Sequence, residues 1–260
     1  MTALNESPLL FLLLLGLLGS LGALLPACVV LFVPAALRIQ FTPYLLSYAT
    51  GTLLAAALIG LIPEAMSQAP APTVCATVLG GLVLFFVLEW LVIFRHAHAH
   101  EEPDMSHDHH HDKVHGKAGI LILVGDAVHN FVDGIAIGSA FMASPALGVS
   151  TTLAVVGHEI PQEIGDFTIL LANGFSRWKA FLWNGLSGLS TLAGVVVAYF
   201  TLAQVVMVVP YALAVAAASF LYIGLADLVP SIHGRVGAAS GLWQSMMMLC
   251  GIATIAMIPG

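Results

Sequence analysis

His129-Asn130-Phe131-Val132-Asp133-Gly134 is the first of two polar motifs that interrupt long apolar segments of this chain, and His158-Glu159-Ile160-Pro161-Gln162-Glu163 is the second. Each motif places a histidine and an oxygen-bearing side chain four residues apart, on one face of a helix. Ionisable groups inside a membrane are costly and mark a pathway or a binding site. The two motifs therefore predict two membrane-spanning helices that hold a metal ion between them.

The composition predicts an all-α integral membrane protein. Of the 260 residues, 59% are hydrophobic and 8% are charged, whereas about a quarter of the residues in a soluble domain are charged. No segment is basic enough to favour nucleic-acid binding, and we expect a single transmembrane domain over residues 1–260. The three cysteines, Cys28, Cys75 and Cys250, are too far apart to favour a disulfide framework or a cysteine metal site.

Eight apolar segments approach the ~20 residues that cross a bilayer. We predict helices 1 to 8 at about 8–33, 42–66, 74–94, 118–142, 147–172, 180–200, 207–229 and 241–258. All seven basic residues then fall in alternate loops on one side, and the positive-inside rule places both termini outside the cytoplasm. They are Arg38, Arg95, Lys113, Lys117, Arg177, Lys179 and Arg235.

Helices 2 and 7 carry similar endings, Leu61-Ile62-Pro63-Glu64 and Leu228-Val229-Pro230-Ser231. In the predicted topology these two helices run in opposite directions. The pattern indicates an inverted repeat of helices 1–3 and 6–8, a common plan among transporters. Small residues on helices 1 and 6 suit close packing within one subunit or between two, so a homodimer stays open.

The predicted loop 95–117 is rich in histidine, which is typical of metal binding. We expect it to be cytoplasmic and to capture metal ions; the alternative is a solvated linker. Its eight histidines are His96, His98, His100, His107, His109, His110, His111 and His115.

The two polar motifs are predicted to lie at the same depth. With helix starts near Ala118 and Leu147, His129 and His158 are both 11 residues along their helices, about 16 Å deep. Consecutive helices are antiparallel, so the motifs can meet near the middle of the bilayer. The resulting ligand set suits Zn²⁺ or a similar divalent ion in two neighbouring positions, and comprises His129, Asn130, Asp133, His158, Glu159 and Gln162.

Four further acidic residues are candidates for supporting roles. Asp126 lies three residues before His129 and is expected to hold its second ring nitrogen. Glu163 and Asp166 continue the polar stripe of helix 5 towards the cytoplasm and are candidates for an exit path. Asp227 on helix 7 is either a further relay or a helix-end residue.

These motifs resemble the ZIP (Zrt/Irt-like protein) metal transporter family, and most closely its subgroup with His-Glu-x-Pro-His-Glu in helix 5. The resemblance implies eight helices, uptake of Zn²⁺, or in some members Fe²⁺, Mn²⁺ or Cd²⁺, into the cytoplasm, and a binuclear centre built from the six residues named above. It implies no organic cofactor and no enzyme activity. We expect a multi-pass protein of the cell membrane or of an organelle membrane.

Three residues depart from that family pattern. Gln162 replaces the histidine or glutamate of relatives, and Asp133 replaces the glutamate of many members. Thr191 on helix 6 occupies a position that is acidic in some of them. The second metal position therefore has less charge in this chain.

Two alternative functions remain open from the sequence. Cation diffusion facilitators, which export zinc against protons, contain a similar His-x-x-x-Asp element, but they have six helices and a soluble C-terminal domain. Intramembrane zinc proteases use His-Glu-x-x-His, whereas Gln162 follows His158 and Glu159 here.

Overall fold

A computed structural model describes residues 8–30, 32–98, 111–233 and 238–258. In these ranges the regular structure is entirely helical. We number the continuous helical segments in chain order: α1 (Pro8–Val30), α2 (35–68), α3 (Ala71–His98), α4 (His111–Ala143), α5 (Pro145–Ala172), α6 (Arg177–Leu202), α7 (206–233) and α8 (Ala238–Ala256).

Five of these helices, α1, α2, α3, α6 and α7, are long and apolar enough to cross a membrane. α4 and α5 are 33 and 28 residues long, but the ionisable residues of the two motifs lower their apolar character. The all-helical membrane class is therefore confirmed, and the count of eight crossings stays a prediction. α3 extends to His98 and α4 begins at His111, so both helices reach further into the histidine-rich segment than the sequence indicated.

A very tight hairpin joins α4 to α5. Only Ser144 separates the two helices; its hydroxyl accepts a hydrogen bond from the backbone N–H of Leu147 at 3.0 Å, and Pro145 takes the first helical position. Serine at the N-cap and proline at the first position both favour a helix start. His129 lies 14 residues before Ala143 and His158 lies 13 residues after Pro145, which brings both histidines to the same level, about 20 Å from the turn.

Glycine allows two pairs of helices to pack backbone against backbone. A Cβ atom on Gly134 of α4 would collide with the carbonyl oxygen of Thr191 on α6, and one on Gly194 of α6 would collide with that of Phe131 on α4. Small residues permit this close approach in membrane proteins. α2 and α8 also pack backbone against backbone. A Cβ atom on Gly51 or on Gly251 would collide with a carbonyl oxygen of the opposite helix. α1 packs mainly on α5, and α3 mainly on α7.

α2 and α7 share an irregularity at matching positions. Each contains a six-residue π-helical segment, Ala56–Leu61 and Ile223–Leu228, followed two residues later by Pro63 or Pro230. Proline has no N–H and crowds the carbonyl group four residues before it. A π-helical segment widens the helix there, and such segments are frequent at functional sites.

Candidate metal centre

Four side chains from α4 and α5 converge at the centre of the helix bundle. They are His129 and Asp133 from α4 and His158 and Glu159 from α5, and one ligand atom from each lies within 4.8 Å of all the others. Three of the four residues are buried; His129, whose side chain is 21% exposed, is the member that remains accessible. The structure therefore brings together four of the six ligands expected from the sequence.

Five of the six separations between these ligand atoms are close to those of a tetrahedral zinc site, and the sixth is within 4.8 Å. His129 Nε2 lies 3.2 Å from His158 Nε2, 3.6 Å from Asp133 Oδ2 and 3.3 Å from Glu159 Oε1. His158 Nε2 lies 3.0 Å from Asp133 Oδ2 and 3.6 Å from Glu159 Oε1. Zinc–ligand bonds of 2.0–2.2 Å in tetrahedral geometry give ligand–ligand separations of about 3.3 Å. The cluster therefore has the dimensions of a four-ligand zinc site.

The orientation of His158 leaves a lone pair directed at the cluster. Its Nδ1 lies 3.0 Å from the carbonyl oxygen of Ala154, one turn earlier on α5. A carbonyl oxygen only accepts hydrogen bonds, so Nδ1 carries the proton and Nε2 of the neutral ring carries the lone pair. A backbone partner of this kind fixes the tautomer and orientation of metal-binding histidines. Phe220 of α7 packs edge-on against the same ring, with centroids 6.0 Å apart.

Three of the four carboxylate oxygens in the cluster have no hydrogen-bond donor among the described residues. Both side chains are buried. Within the described residues, no hydrogen bond is donated to either oxygen of Asp133 or to Oε1 of Glu159. Burial of an uncompensated carboxylate costs several kcal/mol. A divalent cation would compensate both negative charges, because two carboxylates, two neutral imidazoles and one M²⁺ sum to zero.

Asn130 and Gln162 lie beside this cluster and bind a third residue. The amide nitrogens of Asn130 and Gln162 donate to Asp126 Oδ1 at 3.0 and 3.1 Å. Oδ2 of Asp126 accepts a hydrogen bond from Ser187 of α6. Asp126 was expected to hold the His129 ring; instead it joins two amides and a hydroxyl from three helices. A ligand role for Asn130 or Gln162 stays a prediction.

The remaining acidic candidates are not members of the four-residue cluster. Glu163 is buried on α5 and accepts a hydrogen bond from Asn184 of α6 at 2.7 Å. Asp166 is half-buried one turn further along α5. Asp227 is exposed within the π-helical segment of α7. Their predicted roles in an exit path stay predictions. The histidine-rich segment lies in residues 99–110, outside the described ranges, and in helix ends whose side chains are likewise not described.

Two polar partners from α6, Asn184 and Ser187, were not predicted from the sequence. With Thr191 they are spaced at three and four residues, which places all three on one helical face. That spacing was the available signal. Glu89 of α3, which accepts a hydrogen bond from the Tyr222 hydroxyl of α7, was not predicted either. A lone acidic residue near the end of an apolar segment gives no comparable signal.

Comparison with known proteins agrees with this geometry. Residues 94–259 match the model of the family described as ZIP Zinc transporter. The chain is 37% identical over 145 residues to Zinc transporter ZIP10 of Danio rerio and 46% identical over 114 residues to Zinc transporter ZIP4 of Homo sapiens. It is 28% identical over an alignment of 291 positions to Zinc transporter zipt-7.1 of Caenorhabditis briggsae, covering 88% of this chain and 73% of that protein.

The first two alignments cover 53% and 43% of this chain, and 17% of each relative. The family model, however, matches more than half of the chain and includes the whole of α4 and α5. The chain belongs to the ZIP zinc transporter family. It is therefore a multi-pass membrane protein of a transport family and not of an enzyme family. The family predicted from the two motifs is confirmed, and the subgroup stays a prediction.

Proposed function

We propose that this chain moves Zn²⁺ across a membrane into the cytoplasm, with His129, Asp133, His158 and Glu159 as the ligands of the transported ion. The observation that carries the proposal is the cluster of four ligand atoms, of which five of the six separations are 3.0–3.6 Å. Two imidazoles favour Zn²⁺ over Mn²⁺, while Fe²⁺ and Cd²⁺ remain acceptable to the same ligands. The names of the relatives as zinc transporters support the choice of Zn²⁺.

The proposed topology has eight crossings in a single transmembrane domain with both termini outside the cytoplasm. An inverted repeat that exchanges α1 with α6, α2 with α7, α3 with α8 and α4 with α5 accounts for the packing. Under this exchange the pair α1–α5 corresponds to α6–α4, and the pair α2–α8 corresponds to α7–α3. All four pairs are closely packed in the structure. The matching π-helical segments before Pro63 and Pro230 support the same repeat.

The two alternative functions are less well supported. A cation diffusion facilitator leaves the second motif and the family match unexplained. An intramembrane protease needs a second histidine where Gln162 stands, and the amide nitrogen of Gln162 binds Asp126. A single exchangeable ion held at the level of both motifs fits a transport pathway better than a catalytic zinc with an open position.

The test is zinc flux into liposomes that contain the purified chain. We expect flux in the unaltered chain and loss of flux in His158→Ala, because that change removes one of two imidazole ligands. Ser150→Ala is the matched control: Ser150 is also buried on α5, but its hydroxyl donates only to the carbonyl oxygen of Leu147. The control should retain flux.

Three outcomes would overturn the proposal. Equal flux in His158→Ala and the unaltered chain would exclude the cluster from the pathway. Flux that requires an opposing proton gradient and runs outward from the cytoplasmic face would identify an exporter. Peptidase activity that disappears in Glu159→Gln, without zinc flux, would instead identify a protease.

A further inference from the structure

A hydrogen-bonded network lies directly beside the metal cluster and centres on Asp126. This residue is 5% exposed and comes from α4, one turn before Asn130. Its Oδ1 accepts from the amide nitrogens of Asn130 and Gln162, and its Oδ2 accepts from the Ser187 hydroxyl. One carboxylate therefore holds side chains from α4, α5 and α6.

The chemistry of the carboxylate fixes how both amides are oriented. Both amides donate to the same carboxylate oxygen, so the NH₂ groups of Asn130 and Gln162 face Asp126. The carbonyl oxygen of Asn130 then faces away and accepts a hydrogen bond from the Thr191 hydroxyl at 2.9 Å. The Asn130 amide nitrogen also donates to the backbone carbonyl of Asp126 at 3.2 Å. Both ends of the Asn130 side chain are thus bound within the protein.

The four-residue cluster can complete a zinc coordination shell without Asn130. Four ligand atoms, with five of their six separations at 3.0–3.6 Å, already supply the four positions that Zn²⁺ takes in proteins. A second ion next to the first would need the oxygen of Asn130, where the hydrogen bond from the Thr191 hydroxyl already uses one of the two lone pairs. It would also need charge from Gln162 and Thr191, which have none.

We propose that this centre binds a single metal ion and that Asp126 is a positioning residue, which orients Asn130 and Gln162 by their NH₂ groups and does not touch the ion. The inference rests on the proposed function, because it assigns the number of ions at the same site. Asp126 acts through the positions of α4 and α5: Asn130 adjoins His129, and Gln162 is one turn beyond His158. The contribution of Asp126 is that of a hydrogen-bond acceptor.

Two substitutions of Asp126 distinguish a residue that accepts hydrogen bonds from a residue that binds the ion. In Asp126→Asn, the carbonyl oxygen can take the place of Oδ1 and still accept from both amides, while the new NH₂ group faces the Ser187 oxygen. In Asp126→Leu, a side chain of similar size offers no acceptor. If Asp126 carried the ion or attracted it by charge, both substitutions would fail together.

The experiment counts zinc bound per chain in detergent-purified full-length protein, using elemental analysis after titration with Zn²⁺ alone. His158→Ala should bind one zinc ion per chain fewer than the unaltered chain. Zinc bound by the histidine-rich segment cancels in this comparison, because it contributes equally to both proteins. Asn130→Ala should lose none. Asp126→Asn should keep the equivalent with zinc affinity within about threefold, whereas Asp126→Leu should weaken affinity by about 10–100-fold, as substitutions of supporting residues do.

Several results would overturn the inference. Loss of two equivalents in His158→Ala, or of one in Asn130→Ala, would show a second ion. Loss of the equivalent in Asp126→Asn would show that the charge of Asp126 is required, and this variant decides the question even if Asp126→Leu does not fold. Unchanged affinity in Asp126→Leu would show that the network positions nothing. Because binding is measured without flux, absence of transport would overturn the proposed function and leave this test intact.

Discussion

Neutralising Asp133 should weaken zinc binding by about two orders of magnitude. With Zn²⁺ bound, the charges of Asp133, Glu159 and the metal sum to zero; Asp133→Asn leaves a net charge of +1 at a fully buried position. A charge near the centre of a bilayer costs about 3 kcal/mol on insertion scales. At 1.4 kcal/mol per tenfold, this corresponds to a zinc Kd raised by about 100-fold.

The assay is competition with a fluorescent zinc indicator in detergent. Both variant and parent should carry glutamine at the eight histidines of the predicted loop, so that binding there does not mask the centre. Glu64→Gln is the matched control, because it makes the same chemical change at the end of α2, where Glu64 accepts a hydrogen bond from Gln68. A zinc Kd in Asp133→Asn within threefold of the parent would refute the charge-balance reasoning.

Three further changes have definite expected outcomes. Gly134→Ala should destabilise the protein by about 1–3 kcal/mol, the usual cost of overpacking, because the new Cβ atom collides with the backbone of α6. Gly125→Ala on the same helix is the control, since its Cβ atom would have no neighbour within 4 Å. Equal midpoints of thermal unfolding for the two variants would contradict this prediction. Zinc at 100 times its Kd should stabilise the unaltered chain by about 2.7 kcal/mol, and chelation should remove that gain in a thermal-unfolding assay, with no such difference in His158→Ala. Replacing the eight loop histidines by glutamine should reduce or deregulate zinc flux without abolishing it; complete loss in a folded protein would place the loop in the conduction path.

The meeting of the two motifs was predictable from the sequence, but for a different reason from the one first used. Counting from helix starts at Ala118 and Leu147 gave equal depths, yet α4 begins at His111 and α5 at Pro145. The levels agree because the hairpin is one residue long, and both histidines are nearly equidistant from it. The Ser144-Pro145 start signal was the more reliable reference, since it fixes the turn directly.

The arrangement around Asp126 could not be predicted in the same way. On the sequence, Asp126 is three residues from His129 and four from Asn130, and both lie on its helical face. The choice between them depends on Gln162 and Ser187, which approach from α5 and α6. Those contacts are set by how closely α6 packs on α4 through Gly134 and Gly194, and helix packing distance is not encoded in local spacing.

Release of a bound ion requires the four ligands to separate. The way the ligands are divided between α4 and α5 indicates which helices move apart. α4 and α5 each carry one histidine and one carboxylate, so a shift between these helices splits the site into two weaker halves. α4 is held to α6 by glycine contacts between backbones, whereas α5 packs on α1 and α2. We therefore expect zinc removal to change the distance between α4 and α5 and not that between α4 and α6.

Spin labels on exposed positions can measure both distances. After replacement of Cys28, Cys75 and Cys250 by serine, one label pair would join Val124 of α4 to Ile169 of α5, and the other Val124 to Leu186 of α6. Chelation should broaden or shift only the first distance distribution. A change in the second of equal size would show that α4 and α6 do not move as one unit, and no change in either would show that the ion leaves by rotation of side chains alone.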